Sequence, residues 1–297
     1  DWSTAPPFVT NVSEGKITVH TKAVKNGYED LVGEDVTIQI LPRPITITVY
    51  NSEKDFDAPD PAFTGSITDG ILVSANDLGD ISYYRSNDDE NVGDYPGVLN
   101  AKYTFNGNYT VSVIRGDFTI KTSSTAGASL APTGGTMMYD STRLYANAEV
   151  TGATGYTIYY KVDGGDWTTE APYVVNVDEG EVTVHTKAVK PGYVDLMGKD
   201  VTIQITPRPI TITVNDAWKN HGADDPTFTG SITSGNLVMD NDLGEITYSR
   251  NNADENVGTY TDVITAGYAD NHNYEVTVVP GDFTIRANTA DGAELIA

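Results

Sequence analysis

Hydrophobic and polar residues alternate with a period of two along much of the chain. Between Val182 and Ala188, small and apolar residues alternate with threonine, histidine and lysine. The same alternation recurs in residues 201–205, 210–214 and 274–278. Successive side chains on a strand point to opposite faces of a sheet, so each run predicts a half-buried β-strand. Turn signals fall about every 8–12 residues, the spacing of a β-sandwich, and no amphipathic helix pattern stands out.

The chain contains a long internal repeat. Asp1-Trp2-Ser3-Thr4 recurs as Asp166-Trp167-Thr168-Thr169, an offset of 165 positions. The same offset relates Thr18–Lys25 to Thr183–Lys190, Pro42–Val49 to Pro207–Val214, and Gly116–Ile120 to Gly281–Ile285. A unit of this length exceeds the ~20–50 residues of one solenoid repeat. We therefore predict that each repeat unit contains two modules.

Two kinds of segment mark the predicted module boundaries. Pro-Arg-Pro occurs at residues 42–44 and 207–209, and residues 122–127 are small, polar and without periodicity. Proline keeps the preceding residue extended, so the Pro-Arg-Pro join predicts one strand that runs almost directly into the next. We predict an all-β fold of tandem small antiparallel β-sandwich modules arranged end to end. The predicted modules and segments are 1–43, 44–122, 128–207, 208–287 and 288–297.

The first module is incomplete by comparison with its repeat. Residues 1–43 align with 166–208 alone, so the counterparts of Thr133–Gly165 would precede Asp1. We therefore expect residues 1–43 to be the C-terminal part of a module. Residues 288–297 would be the start of the next repeat or a linker, and the natural protein would continue at both ends.

The second module of each repeat carries a distinctive set of segments. In residues 208–287 these are Ile210–Val214, Lys219–Thr229, Asp254–Tyr260, Asn273-Tyr274 and Gly281–Ile285. This set resembles the MBG domain of the YGX type, which occurs in tandem in bacterial surface proteins. The Tyr-Gly pair that gives the type its name is His221-Gly222 in one copy and Phe56-Asp57 in the other. The resemblance implies that 44–122 and 208–287 are MBG-like domains.

The other module, 128–207, is similar to the short Ig-like repeats that accompany such domains. The similarity rests on Tyr159–Trp167 and Thr186–Tyr193. It implies that residues 1–43 are the C-terminal part of a further Ig-like repeat. Together the two resemblances imply an extracellular array on a bacterial cell surface or cell wall, attached through regions outside this chain. They imply an adhesive or spacer role.

The charge balance restricts the partners of the chain. Its 297 residues include Lys+Arg 18 and Asp+Glu 42, a formal net charge of −24. Nucleic acids and anionic membrane surfaces bind basic patches, so neither is expected as a partner. No apolar run approaches the ~18–20 residues of a membrane span, so no membrane insertion is expected in this segment.

Catalytic motifs are absent from the sequence. Cysteine is missing, which excludes thiol catalysis, Cys-ligated zinc and disulfides. The four histidines lack metal-ligand spacing, and no Gly-x-Ser-x-Gly or phosphate loop occurs. No pair of carboxylates stands out from the acidic background. We therefore expect that the chain is not an enzyme.

Acidic clusters suggest one cofactor hypothesis. Calcium binds where several carboxylate or carbonyl oxygens converge. The candidate ligands in the second repeat are Asp240, Asp242, Glu245, Asp254 and Glu255. The first repeat has Ala75 in place of Asp240, and no EF-hand loop pattern occurs. No metal site is firm on this evidence, and a turn explains residues 241–244 as well.

Two further groups of residues have both a ligand-binding and a structural interpretation. Trp167, Trp218 and Tyr159 are candidates for stacking on a glycan, although aromatic residues of a small sandwich are more often core. Arg115-Gly116-Asp117 spells a known adhesion tripeptide, but the second copy reads Pro280-Gly281-Asp282. Because that copy keeps Gly-Asp and lacks arginine, we interpret the tripeptide as a structural turn.

These observations favour a non-catalytic repeat region that acts as an extended stalk or spacer of an adhesin. One alternative is a set of weak binding modules for a host glycan or surface protein, acting by avidity. A more remote alternative is an accessory region of a large secreted polysaccharide-degrading enzyme. Neighbouring repeats of the same chain would be partners in each case.

Overall fold

A computed structural model describes residues 1–289 and confirms the all-β prediction. Residues 290–297, which hold most of the segment predicted to begin another repeat, lie outside the described residues. The chain divides into two compact units. Unit 1 consists of residues 1–124 and 191–194, and unit 2 of residues 125–190 and the chain from 195 onward. No helix within residues 1–289 has the length and apolar character that crossing a bilayer requires.

Unit 1 holds residues 1–43 and the predicted MBG-like module 44–122. A 3₁₀ turn, Val12–Glu14, precedes the strands. The strands are β1 (Ile17–Val19), β2 (Lys22–Ala23), β3 (Leu31–Val32), β4 (Val36–Ile38), β5 (Arg43–Val49), β6 (Ser52–Asp55), β7 (Gly65–Asp69), β8 (Ser82–Arg85), β9 (Gly93–Lys102), β10 (Tyr109–Ile114) and β11 (Gly116–Lys121).

Unit 2 holds the predicted modules 128–207 and 208–287. Its 3₁₀ turn is Val177–Glu179. The strands are β12 (Ser129–Thr133), β13 (Gly135–Met138), β14 (Leu144–Tyr145), β15 (Asn147–Thr151), β16 (Thr157–Val162), β17 (Tyr173–Val174), β18 (Val182–Val189), β19 (Leu196–Met197), β20 (Val201–Thr206), β21 (Arg208–Val214), β22 (Ala217–Asn220), β23 (Gly230–Ser234), β24 (Thr247–Arg250), β25 (Gly258–Gly267), β26 (Tyr274–Val279) and β27 (Gly281–Arg286).

The MBG-like module is built from two sheets that share a pair of bent strands. In unit 2 one sheet has the order β23-β21-β26 and the other β22-β27-β25-β24. Unit 1 repeats both orders, as β10-β5-β7 and β6-β11-β9-β8. The chain passes from the first sheet to the second at residues 215–216 and again at Pro280. A Cβ on Gly281 would lie 2.7 Å from the Asn215 carbonyl oxygen, so glycine permits this close crossing.

The predicted antiparallel pairing holds for most strand pairs, but each MBG-like module also contains parallel pairs. β21 pairs in parallel with β26, and β22 with β27, because both bent segments run through the module in the same direction. Unit 1 shows the same parallel pairs, β5 with β10 and β6 with β11. Alternation along a strand indicates which side chains are buried, but it does not indicate whether the neighbouring strand is parallel or antiparallel.

The 128–207 module of unit 2, for which the sequence predicts an Ig-like repeat, has a main sheet of order β13-β20-β18-β16, with β19 beside β18. β12 pairs with β15, and β14 with β17, to complete the module. The alternation read in β18 holds, since Val184, Thr186 and Ala188 are buried. In unit 1 the counterpart module consists of two separate strand pairs, β1 with β4 and β2 with β3.

Candidate functional site

The join between the two modules of unit 2 is a packed structure. Only Pro207 separates β20 from β21, and the buried positions change from odd-numbered residues before it to even-numbered residues after it. Ile203 and Ile205 before the proline, and Ile210 and Ile212 after it, are all buried in one hydrophobic cluster. Relative motion is the default for neighbouring domains unless their interface is large and apolar. A shared core therefore restrains the two modules.

Two tyrosines fill the centre of this join. The rings of Tyr139, from the 128–207 module, and Tyr274, from the MBG-like module, meet edge to face at 5.6 Å. Arg208 Nε donates a hydrogen bond to the Tyr139 carbonyl oxygen at 2.8 Å. The Tyr274 hydroxyl donates to Asp242 Oδ2 and accepts from the Val238 amide. Burial, together with the Asp242 hydrogen bond, raises the pKa of Tyr274 to about 12.

A polar clamp holds the edge of the join. The Val177 amide donates to Asn273 Oδ1 at 2.9 Å, and Asn273 Nδ2 donates to Asn176 Oδ1 at 3.0 Å. Unit 1 has the same clamp at the equivalent positions, with Val12, Asn108 and Asn11. The side chain of Asn273 thus ties the 3₁₀ turn of one module to the loop before β26 of the next. Its repetition shows that the join is part of the repeat.

Each MBG-like module also contains a charge network over a buried phenylalanine. Lys219 Nζ contacts Asp225 Oδ1 at 2.8 Å and also Glu255, and Arg250 contacts both carboxylates. The Lys219 and Arg250 side chains are only 5% and 8% exposed. The Arg250 guanidinium lies 4.7 Å from the centre of the Phe283 ring. The equivalent network in unit 1 is formed by Lys54, Asp60, Glu90, Arg85 and Phe118.

The network holds its groups in their charged states. The hydrogen bond to Asp225, followed by that to Glu255, raises the pKa of Lys219. Lys219 and Arg250 lower the pKa of Glu255. A protonated amine is a poor nucleophile, so this cluster suits structural pairing rather than covalent chemistry. Sequence reasoning missed the network, although a lysine at an inward position of β22 that recurs at Lys54 was a usable signal.

The calcium candidates do not converge in the structure. Asp242 accepts from Tyr274, and Glu255 belongs to the charge network. Asp240, Glu245 and Asp254 are exposed. In the described part of the chain no group of three or more histidine, aspartate or glutamate side chains could hold a metal ion. The geometry therefore adds no support for calcium.

Two of the three aromatic candidates lie together. Lys187 Nζ sits 4.8 Å from the Trp167 ring and 5.7 Å from the Tyr159 ring. Trp167 is 37% exposed, and Trp2 in unit 1 makes the same contact with Lys22 at 4.6 Å. Trp218 lies in the other module of unit 2, where Arg286 stacks on it at 3.9 Å. Each tryptophan has a cation on one face of its ring, and Trp2, Trp167 and Trp218 remain 59%, 37% and 51% exposed.

The adhesion tripeptide spans the beginning of β11. Gly116 is buried, and a Cβ there would lie 2.7 Å from the Tyr50 carbonyl oxygen. The Asp117 carboxylate accepts from the Gly97 amide at 2.8 Å, and the Asp117 amide donates to Asn51. Asp282 in unit 2 makes the equivalent bonds to Asp262 and Asp216. The aspartate side chain of the tripeptide is thus engaged within the module.

His185 provides a pH-dependent contact on the 128–207 module. Its Nε2 lies 2.8 Å from Asp163 and its Nδ1 lies 2.7 Å from Asp200. The hydrogen bonds to Asp163 and then Asp200 raise the pKa of His185 above its ordinary 6.5. The contribution of protonated His185 to the stability of the folded module is therefore complete below about pH 6.5 and is lost as the pH rises through the raised pKa.

We expect the His185 imidazole to titrate in NMR spectra with a midpoint above 6.5. Asp163→Asn should lower that midpoint, because it removes the largest cause of the shift. Asp270→Asn, which changes a carboxylate beside His272, should leave it in place. A midpoint at or below 6.5 in the unmodified chain would contradict the assignment.

Comparison with known protein families identifies one module. Residues 210–284 match the MBG domain (YGX type), so an MBG domain is present in the second repeat. The matched range includes Lys219, Arg250, Glu255 and Phe283, and thus the whole charge network. No curated protein matches the chain.

Proposed function

We propose that this chain is a non-catalytic repeat region of a bacterial cell-surface protein and acts as an extended stalk or spacer of an adhesin. The observation that carries the proposal is the packed join of unit 2, where one core continues from the Ig-like module into the MBG domain. A spacer needs such joins, because a flexible joint would let the displayed part fold back.

Three further features support this role. The MBG domain belongs to a family of surface-protein modules. The clamp and the charge network recur in both repeats, as expected where repetition supplies length rather than a single site. A net charge of −24 makes neighbouring segments repel one another and favours an extended chain. We place the protein outside the cell, attached through regions beyond this chain, and assign it no enzyme activity.

The stiffness of the join can be measured between two spin labels. The chain has no cysteine, so Glu149→Cys and Thr261→Cys place one label on each module of unit 2 without side reactions. Both residues are exposed. Electron–electron double resonance spectroscopy should give one narrow distribution of the distance between the two labels. A reference pair within the MBG domain, Asp224→Cys with Thr261→Cys, sets the width that the label itself contributes.

The matched variant for this experiment is Tyr139→Ala combined with Asn273→Ala. It removes the edge-to-face contact and the polar clamp and leaves the Pro207 connection intact. We expect the distribution across the join to broaden while the reference pair stays unchanged. A distribution in the unmodified chain that is already much broader than the reference would sink the stalk proposal.

A second candidate function is weak glycan or host-protein binding by avidity. The observation that favours it is the Trp167–Tyr159–Lys187 cluster, of which Trp2 and Lys22 repeat two members. Glycan-array binding that falls in Trp167→Ala but not in Trp218→Ala would support it. If both variants and the unmodified chain bind glycans equally, the cluster has a structural role and does not bind glycans.

A further inference from the structure

The main sheet of the 128–207 module has an outward face on which β16 and β18 place two lysines and a histidine. Tyr159 lies opposite Lys187, and Lys161 lies opposite His185. We call these four residues the basic face. The outward residues of the neighbouring strand β20 are polar and uncharged: Thr202, Gln204 and Thr206. In a chain with Asp+Glu 42 against Lys+Arg 18, a sheet face without a carboxylate on these strands is positioned to attract an anion.

The two lysines of the basic face have no carboxylate partner among residues 1–289. Lys187 Nζ lies 4.8 Å from the centre of the Trp167 ring and 5.7 Å from that of the Tyr159 ring. The Lys161 side chain makes neither an ion pair nor a hydrogen bond with another described residue. An ammonium group has three N–H donors, so both lysines retain donors for a ligand.

Two carboxylates border the basic face, but both are engaged with its histidine. Asp163 lies 2.8 Å from His185 Nε2, and Asp200 lies 2.7 Å from His185 Nδ1. These hydrogen bonds raise the pKa of His185, so the imidazole carries more positive charge near neutral pH than an isolated histidine would. Asp163 and Asp200 therefore leave Lys161 and Lys187 without a neutralising partner.

The second repeat differs from the first at this lysine position. In unit 1 the counterpart of Lys187 is Lys22, which pairs with Asp30 at 2.9 Å. In unit 2 the counterpart of Asp30 is Asp195, and the described part of the chain contains no ion pair between Asp195 and Lys187. The lysine is thus neutralised in unit 1 and free to bind an anion in unit 2.

We propose that the basic face, together with Trp167, binds an acidic saccharide, that is, a sugar chain that bears carboxylate or sulfate groups. The apolar face of one sugar ring would pack on Trp167 and Tyr159, which are already close to each other around Lys187. The anionic group of the sugar would accept hydrogen bonds from Lys161 and Lys187. This inference rests on the second candidate function, glycan binding, and specifies the charge of the glycan.

Charge and aromatic content favour a saccharide over a second copy of the chain. Each copy carries a net charge of −24, so two copies repel one another. Two aromatic rings beside the ammonium groups offer an apolar surface that a sugar ring covers and a small inorganic anion does not. The groove that Lys161 also lines contains Asp166 and Glu170, so the anionic group belongs on the sheet face and not in that groove.

The test is an NMR titration of the full chain at low salt with matched oligosaccharides. Tetragalacturonic acid and sulfated maltotetraose supply the two kinds of anion, and the methyl ester of the first and plain maltotetraose are their neutral counterparts. Each acidic form should bind at least about tenfold more tightly than its neutral counterpart, because charge-assisted hydrogen bonds are the stronger ones. The shifted amides should be those of residues 159–161, 167 and 185–187. Equal affinity for acidic and neutral forms would overturn the charge assignment and leave glycan binding in place.

Two variants that remove one charge each make the test specific. Lys161→Gln and Lys187→Gln should each weaken binding of the acidic forms about fivefold and leave binding of the neutral forms unchanged. The control is Lys102→Gln, which changes an exposed lysine of unit 1 and alters the net charge equally. It should leave the affinity unchanged. An equal loss in all three variants would show that only net charge matters and would overturn the site.

Two further results would overturn the proposal in different ways. If none of the oligosaccharides shifts these amides, both this inference and glycan binding by the cluster are wrong. If a tetrapeptide of glutamate binds the same amides as tightly as the acidic sugars, the face recognises acidic polypeptides and the stated ligand is wrong. Neither result affects the spin-label distances across the join, so the stalk proposal is tested separately.

Discussion

Replacing Phe283 with alanine should destabilise the MBG domain by about 3–5 kcal/mol, the usual loss for a buried phenylalanine. The side chain is fully buried and packs with Val214, Ile264 and Ile285. Phe228 meets it edge to face at 5.7 Å, so a small side chain would leave a cavity that these rigid neighbours cannot fill. The cavity would also remove the ring on which Arg250 lies.

The unfolding of this module can be followed separately. Trp218 is the tryptophan of the 208–287 module, so its fluorescence reports that module once Trp2 and Trp167 are changed to phenylalanine. Phe283→Ala should shift the unfolding transition that Trp218 fluorescence reports to a much lower denaturant concentration. Phe118→Ala makes the equivalent change in unit 1 and should leave this transition in place. A shift of similar size in both variants would show that the modules do not unfold as separate units.

Lys219→Met should cause the second large loss of stability, seen as a marked fall of the melting temperature at pH 7. The methionine keeps the packing volume but leaves Asp225 and Glu255 with Arg250 as their only cation in the network. Lys219 makes charge-assisted contacts with both carboxylates, and its loss leaves two neighbouring negative charges sharing one cation. The control is Lys121→Met, since Lys121 pairs with Glu53 at 2.5 Å while half exposed. Such surface pairs contribute little, so its melting temperature should barely change.

The same network predicts the direction of acid unfolding. The pKa of Glu255 is lowered below its ordinary 4.5, first by Lys219 and then by Arg250. Its contribution to stability is therefore complete above about pH 4.5 and lost as the pH falls through the lowered pKa. In Lys219→Met this acid-dependent loss should be smaller, because the larger cause of the shift is gone. A steeper loss of stability with falling pH in Lys219→Met would contradict the assigned pairing of Lys219 with Glu255.

Much of the fold could be predicted because the repeat and the alternation are local properties. Val184, Ile203, Ile205, Ile210 and Ile212 are buried as the two-residue period requires. The Pro-Arg-Pro segment correctly indicated a direct connection between strands. The MBG resemblance, which rested on motif spacing, is confirmed for residues 210–284.

The candidate site was harder to predict because its residues are distant in sequence. Tyr139 packs on Tyr274, and the Val177 amide donates a hydrogen bond to Asn273, across separations that no periodicity reveals. The acidic residues suggested a cation site by composition, but Asp242 and Glu255 face a tyrosine hydroxyl and two basic side chains. Composition cannot distinguish carboxylates that converge from carboxylates that are already paired.

By itself the sequence determined the all-β class, the repeat, the buried faces of the strands and the position of the direct connection between β20 and β21. These depend on neighbours a few residues apart, whose relation a strand preserves. The tertiary structure alone decided the parallel pairing of the bent strands, the partners of Lys219 and Arg250, and the place of Tyr139 in the join. These contacts depend on how the chain returns through the module, and that path is set by packing of the whole core.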